Sequence, residues 1–235
     1  MNQNILILSA ASLGFVHTIF GPDHYIPFIA ISKAKNWSLS KTLGITVLCG
    51  IGHVLGSVIL GMIGIFSGVA LEKLQFIESF RGTVAAYLLI LFGLVYTLYG
   101  LRKAYRNKPH QHVHFHANGT VHIHKHIHKK EHAHVHNDSN EKKITPWLLF
   151  IIFIFGPCEV LIPLLMFTAA QNHFGILVAV TLAFAITTIG TMSLLVAFGL
   201  KGIRLIHFES FERYTHALAG ATILLCGIAI RFLGL

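Results

Sequence analysis

Six long apolar stretches constrain the fold of this chain more than any other feature of its sequence. They lie near residues 5–31, 43–70, 83–102, 146–170, 174–199 and 214–234. Each is long enough for the helix of about 20 residues that crosses the ~30 Å hydrocarbon core of a bilayer. Apolar residues run through them continuously instead of alternating with polar ones, which favours helices over the strands of a membrane barrel. We therefore predict an all-α membrane protein with six transmembrane helices and a lipid bilayer as its partner.

The scarcity of charged residues agrees with this prediction. Only 11% of the residues are charged and 54% are hydrophobic, whereas an ordinary soluble domain carries about 25% charged residues. The formal net charge of +9 would suggest nucleic-acid binding in a soluble protein. A membrane protein, however, collects Lys and Arg in its cytoplasmic loops for topological reasons. We therefore expect no nucleic-acid partner.

The Lys and Arg residues also predict which way the helices cross the membrane. If six helices alternate in direction, 15 of these residues fall on one side and three on the other. The larger set comprises eight residues in the central 103–144 segment together with Lys33, Lys35, Lys41, Arg102, Lys201, Arg204 and Arg213. The smaller set is Lys73, Arg81 and Arg231. Since positive residues collect inside, we expect a multi-pass protein of the cell (inner) membrane, with residues 103–144 in the cytoplasm and both termini outside.

Neither the N-terminus nor the cysteines indicate a secreted protein. The N-terminal apolar run continues past Ala11 without a basic segment before it, so we expect a membrane span there and not a cleaved signal. The three cysteines, Cys49, Cys158 and Cys226, all lie inside apolar stretches. This placement argues against a disulfide framework.

An internal repeat divides the chain into two halves. Three pairs of segments match in the same order: 19–27 with 154–163, 78–83 with 209–215, and 93–101 with 227–235. The first pair reads IFGPDHYIP and IFGPCEVLIP. With three helices in each copy, the second copy enters the membrane in the opposite direction, as in many secondary transporters. We predict two inverted three-helix repeats, residues 1–102 and 145–235, joined by the 103–144 loop.

Each copy of the repeat begins with a helix that we expect to be broken. Gly21-Pro22 and Gly156-Pro157 fall near the middle of the first and fourth apolar stretches. A proline inside a helix removes a backbone hydrogen bond and displaces the carbonyl four residues earlier. Irregular backbone at membrane depth is tolerated only where protein buries it or where it lines a cavity. The two breaks therefore predict one central site.

Polar residues lie in and around these broken helices. They are the two acidic residues inside apolar stretches and four nearby candidates for metal ligation: Asp23, Glu159, His24, Cys158, His17 and His53. We expect Asp23 and Glu159 to face each other, because an ionised carboxylate at the bilayer centre needs a partner or a cation. Imidazole, carboxylate and thiolate groups together suit Ni, Co, Zn or Fe(II) better than Mg or Ca. The set predicts a site on the path of a transition metal.

Other roles for these residues are open from the sequence. Asp23 and Glu159 could form structural hydrogen bonds or a proton relay without a metal. His53 on an apolar helix could be a packing residue with a hydrogen bond, and Cys158 could be a small buried hydrophobe. We expect Cys49 and Cys226 to pack in the core.

The central loop carries a second candidate metal-binding region. It holds 11 of the 17 histidines: His110, His112, His114, His116, His122, His124, His126, His128, His132, His134 and His136. Neutral imidazole is the commonest metal ligand, so a tract of this kind is typical of metal binding. On the cytoplasmic side it would capture metal from the cytosol, which suits export.

The spacing of two between these histidines predicts a β-hairpin that turns at Asn118-Gly119. A two-residue loop would pair His116 with Val121 and put the two rows of histidines on opposite faces. A three-residue loop would pair His114 with His122 and put both rows on one face. A loop that stays disordered until metal binds is the third possibility.

With these features the chain resembles the nickel/cobalt transporter superfamily, and within it the six-span efflux branch that has a His-rich cytoplasmic loop between the third and fourth spans. The resemblance rests on the number of spans, the position of the loop and the His17…Asp23-His24 motif. In the related motif four residues separate the first His from Asp-His, whereas in this chain five residues, 18–22, separate His17 from Asp23. Asp23 and His24 therefore match the motif better than His17 does. The wider superfamily includes thiol–disulfide carriers, and only Cys158 fits their pattern of a cysteine beside a proline in each half.

These features predict a secondary transporter that exports a divalent transition metal, Ni or Co first, from the cytoplasm. The metal would be the transported substrate; we expect no other cofactor and no enzymatic activity. The sequence shows no phosphate loop for nucleotides, so an ion gradient would supply the energy. The alternatives are a metal importer, a membrane metal reservoir or accessory protein, and more distantly a thiol–disulfide carrier.

Overall fold

The computed structural model describes residues 3–106, 110–115, 121–126, 139–171, 174–205 and 213–233. The elements follow in the order α1 (Gln3–Phe20), a 3₁₀ turn (Pro22–His24), α2 (Ile26–Lys35), α3 (Leu39–Phe66), α4 (Leu71–Arg106), β1 (His110–Phe115), β2 (Val121–His126), α5 (Ser139–Phe155), α6 (Leu161–Ala169), α7 (Phe174–Leu205) and α8 (Thr215–Leu233). The predicted helical architecture is confirmed, with one short hairpin in the central loop.

Five of the described helices are long and apolar enough to cross a membrane: α1, α3, α4, α7 and α8. The fourth predicted span, 146–170, is not one continuous helix. It divides into α5, whose apolar part Thr145–Phe155 is short, and the nine-residue α6. The first predicted span, 5–31, is interrupted too, since α1 ends at Phe20 and α2 begins at Ile26. The five long helices are compatible with a multi-pass membrane protein.

Helix α4 begins earlier than the sequence predicts. Its apolar stretch suggests a span over 83–102, but the helix runs for 36 residues from Leu71, which is about 54 Å at 1.5 Å per residue. The additional turns contain Glu78 and Arg81, which form an ion pair. Because the two charges satisfy each other within the helix, hydrophobicity alone places the beginning of this helix too late in the sequence.

The outer surface of the helix bundle is strongly apolar. Phe20, Phe66, Ile186 and Phe232 are each at least 68% exposed. The interior is packed separately, from three clusters of buried apolar side chains that join all of the helices. An exterior with this many exposed large apolar side chains suits lipid and not water.

Helices α4 and α8 approach each other closely along a row of glycines. Gly93 of α4 lies against the backbone of Leu224, and Gly100 lies against the backbone of Ala217. A step of seven residues forward along α4 thus corresponds to seven residues back along α8, so the helices are antiparallel. Two glycines of α8 meet α4 in the same register: Gly220 at Thr97 and Gly227 at Ile90. Small residues of this kind allow membrane helices to pack backbone to backbone.

We expect Gly93→Ala to destabilise the protein by about 1–3 kcal/mol, because a Cβ there would overlap the backbone of α8. Thermal unfolding of the purified protein in detergent measures this effect. Gly190→Ala is the matched control, since open space surrounds that helical glycine and alanine is the better helix former. Equal melting temperatures for the two variants would contradict the packing of α4 on α8.

The central loop contains the predicted hairpin. Strands β1 and β2 are antiparallel, and three pairs of histidines are partners: His110 with His126, His112 with His124, and His114 with His122. This is the register of the three-residue loop. The register of the two-residue loop is not found, because Val121 pairs with Phe115. The remaining loop histidines, His116, His128, His132, His134 and His136, lie outside the described residues.

Candidate metal centre

The first broken helix pair is interrupted at Gly21-Pro22, as predicted. Helix α1 ends at Phe20, Gly21 is extended (φ −89°, ψ 90°), and the backbone N–H of His24 donates to the Gly21 carbonyl at 3.0 Å. A Cβ on Gly21 would collide with the His24 imidazole. The glycine therefore allows this ring to fold back over the break.

The second broken pair is interrupted at Gly156-Pro157. Helix α5 ends at Phe155, and the backbone N–H of Gly156 donates to the Phe153 carbonyl at 3.0 Å. A Cβ on Gly156 would lie 2.9 Å from Nδ1 of His53, which projects from the middle of α3. Each break thus carries a glycine that makes room for one imidazole ring.

Asp23 fixes the orientation of His24. The Nδ1 atom of His24 lies 2.9 Å from Asp23 Oδ1 and 3.1 Å from the Gly21 carbonyl. Both neighbours are acceptors, so Nδ1 carries the hydrogen and donates it. In the neutral ring the lone pair is then on Nε2. A histidine that donates one N–H to a carboxylate and leaves the other nitrogen free is typical of a metal ligand.

The free nitrogen of His24 faces His53. The two Nε2 atoms are 3.3 Å apart, and both residues are almost fully buried. Two lone pairs cannot face each other at this distance, so a proton or a metal ion must lie between the rings. Two nitrogens bound to one tetrahedral metal at about 2.0–2.1 Å would be separated by about 3.4 Å. The observed separation fits either occupant.

His17 and Cys158 complete the cluster. Potential ligand atoms of His17, His53 and Cys158 all lie within 4.8 Å of one another. Cys158 Sγ lies 3.9 Å from His17 Nε2. Tetrahedral coordination with metal–sulfur and metal–nitrogen distances of about 2.3 and 2.05 Å would place these two atoms about 3.6 Å apart. Small side-chain movements would therefore close the site on a metal ion.

The centre borders a small cavity. Its lining includes Asp23, His53, Ala86, Gly156 and Pro157, and its volume is about 20 Å³. A space of this size holds about one water molecule or one dehydrated ion. It connects the two breaks with the face of α4.

Five of the six predicted site residues come together in the structure: His17, Asp23, His24, His53 and Cys158. The motif favoured Asp23 and His24 over His17, yet His17 joins the cluster as well. Glu159 does not: its side chain is exposed, and it belongs to no group of three potential ligands among the described residues. The expectation that Asp23 and Glu159 face each other therefore finds no support.

One buried charged pair beside this centre was not predicted from the sequence. Glu78 is fully buried, and Arg81 Nη1 donates to its carboxylate at 2.6 Å. Arg81 was expected in an outer loop, but it lies within α4. The available signal was the spacing of three residues between opposite charges, which places both on one face of a helix.

No family model, no curated protein and no solved structure matches this chain. The resemblance to nickel/cobalt transporters therefore stays a prediction from the motif. The assignment of a function rests on the geometry of the centre.

We expect Cys158→Ala to weaken Co(II) binding by at least about tenfold and to remove the thiolate-to-metal absorption band, because a metal bound in the cluster would lose its sulfur ligand. Titration of the purified protein with Co(II), followed by absorbance, measures both quantities. Cys49→Ala is the matched control, since Cys49 is equally buried but packs against apolar residues. A Co(II) spectrum that Cys158→Ala leaves unchanged would exclude this residue as a ligand.

The two acidic residues should behave differently. We expect Asp23→Asn to lower Co(II) affinity by about 10–100-fold, since loss of a carboxylate behind a ligating histidine has effects of this size. Glu159→Gln should leave the affinity nearly unchanged, because Glu159 lies outside the cluster. The same titration compares them. An equal loss in both variants would show that the carboxylates share one site after all.

Proposed function

We propose that this protein is a secondary transporter that moves a divalent transition metal, Ni or Co first, across a membrane. The observation that carries the proposal is the group of His17, His53 and Cys158, of which His53 and Cys158 are buried. His24 joins this group, and it lies where two broken helices meet. Imidazole and thiolate ligands select transition metals over Mg and Ca. The metal is substrate, since the site borders a cavity and is built on interrupted helices.

The proposed function explains why the site is at the breaks. In many transporters the binding site lies near the bilayer midplane, where discontinuous helices offer irregular backbone and side chains to the substrate. Here α1 and α2 flank one break, and α5 and α6 flank the other. Each break contributes one side chain to the cluster, His24 from the first and Cys158 from the second.

Several helix contacts support two inverted three-helix repeats. Helix α1 packs on α7, and its counterpart α5 packs on α3. The middle helices α3 and α7 touch each other, as do the last helices α4 and α8. A two-fold axis in the membrane plane would produce this pattern. In the second matching segment pair, residues 209–212 lie outside the described residues.

We propose export as the direction of transport. The charge distribution favours a cytoplasmic central loop, and its hairpin pairs histidines across two strands. A His-rich loop on that side would collect metal from the cytosol. With no phosphate loop in the sequence, an ion gradient is the proposed source of energy, exchanged for the metal across the same two halves.

Proteoliposomes provide the direct test. We expect the protein to move Ni(II) or Co(II) when a pH gradient is imposed, and His53→Ala to reduce the flux at least about a hundredfold, because one variant removes both the His24 contact and a ligand. Metal trapped inside the vesicles is measured by mass spectrometry. Glu72→Gln, which removes an exposed acidic side chain in the first turn of α4, should transport normally.

Other outcomes identify the alternatives. Absence of flux in the wild type, with metal bound to the protein, would indicate a reservoir or accessory protein. Cells that produce the protein should contain less Ni or Co than matched cells; a higher content that chelators do not strip from the membrane would indicate import. Deletion of residues 110–136 should weaken capture and spare the flux. Complete loss in that variant would place the essential site in the loop.

A further inference from the structure

The buried pair of Glu78 and Arg81 is not part of the proposed metal site, yet it lies directly beside it. Glu78 is completely buried, and the side chain of Arg81 is only 15% exposed. Two charges are removed from water at a high desolvation cost, which only good geometry and further hydrogen bonds offset. The remaining contacts of the pair therefore indicate its role.

Arg81 reaches from α4 to the broken end of α5. Its Nη2 donates to the backbone carbonyl of Ile154 at 2.6 Å. This carbonyl lies in the last turn of α5, where the helix leaves acceptors without an intrahelical donor. Its Nη1, which donates to Glu78, also lies 3.4 Å from the Ser57 hydroxyl of α3. The planar guanidinium thus contacts Glu78, Ser57 and the Ile154 carbonyl at the same time.

Glu78 is the buried counter-charge of Arg81. Its Oε2 accepts the hydrogen bond from Arg81 Nη1 at 2.6 Å, and its Oε1 accepts no hydrogen bond among the described residues. The pair is thus attached to the chain just before Gly156-Pro157, through Arg81 and the Ile154 carbonyl. Just after the break, the ring of Pro157 packs against Gly82, the neighbour of Arg81 in α4. Only a few residues of irregular backbone separate these two contacts, so they restrict where Cys158 lies.

Two glycines make room for this arrangement. A Cβ on Gly56 of α3 would lie 2.8 Å from Nη2 of Arg81 and 3.2 Å from the Ile154 carbonyl oxygen. A Cβ on Gly82 would lie 2.7 Å from the ring of Pro157. The guanidinium and the proline therefore fit only because both facing residues lack a side chain.

We infer that Arg81, with Glu78 as its buried counter-charge, is a positioning residue that holds the α5 end of the α5–α6 break, while Gly82 receives Pro157 on the other side, and that it thereby presents the Cys158 thiol to His17 and His53. That Cys158 then serves as a metal ligand rests on the proposed function. The position of its sulfur does not rest on the proposed function, because the contacts of the Arg81–Glu78 pair exist in the protein without a metal. The thiol also packs in an apolar cluster with Leu161 and Leu165 and lies 3.9 Å from His17 Nε2, contacts that do not involve Arg81.

Alkylation of Cys158 by N-ethylmaleimide tests the position of the sulfur without any metal. Variants that keep only one cysteine, at 158, 49 or 226, are compared in detergent, with and without Arg81→Gln. We expect Arg81→Gln to accelerate modification of Cys158 by at least about tenfold, the size expected for loss of hydrogen bonds to a charged group. Cys49 and Cys226, which are also buried, should react at unchanged rates.

Matched variants separate this effect from general loosening. Arg213→Gln removes an exposed arginine in the corresponding segment of the second half and should leave all three rates unchanged. Gly56→Ala, which displaces the guanidinium without removing a charge, should accelerate modification of Cys158 alone. Equal acceleration at the three cysteines, or none at Cys158, would overturn the inference.

Co(II) titration distinguishes failure of this inference from failure of the proposed function. If the wild type shows a thiolate–Co(II) band, Arg81→Gln should weaken it at least about tenfold. An unchanged band together with unchanged alkylation would overturn the positioning role and leave the metal site intact. A wild type without any Co(II) band, in which Arg81→Gln still exposes Cys158, would overturn the metal site and retain the positioning of Cys158.

Discussion

The structure depends on one constraint: a helix that is interrupted among apolar side chains must find partners for the backbone groups it frees. The first break does so locally, with a 3₁₀ turn and the hydroxyl of Tyr25, which donates to the Ile19 carbonyl. At the second break, Arg81 of α4 donates a hydrogen bond to the Ile154 carbonyl. Where these partners lie decides where His24 and Cys158 can be placed.

The two breaks provide different chemistry from similar sequence. The first holds His24 with Asp23 behind it, so an imidazole nitrogen is presented in a fixed orientation. The second presents the Cys158 thiol. His53 of α3 lies between them, whereas the predicted repeat places Thr188 of α7 at the matching position. The side chains at matching positions of the predicted repeat therefore differ, and this difference produces a mixed nitrogen and sulfur donor set.

Much of this arrangement could be predicted from the sequence, because glycine and proline have strong local effects. Both breaks and five of the six candidate residues followed from Gly-Pro pairs and from polar residues in apolar stretches. The position of Glu159 did not, since helical periodicity is lost after a break and no longer indicates which of two neighbouring side chains turns inward. Glu78 and Arg81 were missed for another reason. Each charge offsets part of the desolvation cost of burying the other, and a hydrophobicity scale that scores residues one at a time ignores such pairs.

Charge balance explains how the proposed centre could do without Glu159. A divalent ion in surroundings of low dielectric needs about two negative charges nearby. Within the proposed site, a Cys158 thiolate would supply one directly and the Asp23 carboxylate the other through the His24 ring, as in the carboxylate–histidine–metal arrangement. His17 and His53 add neutral nitrogen ligands. The five residues that meet in the structure would thus match both the charge and the ligand preference of a divalent transition metal, and an additional carboxylate would bind the ion more tightly than a transporter that must release it requires.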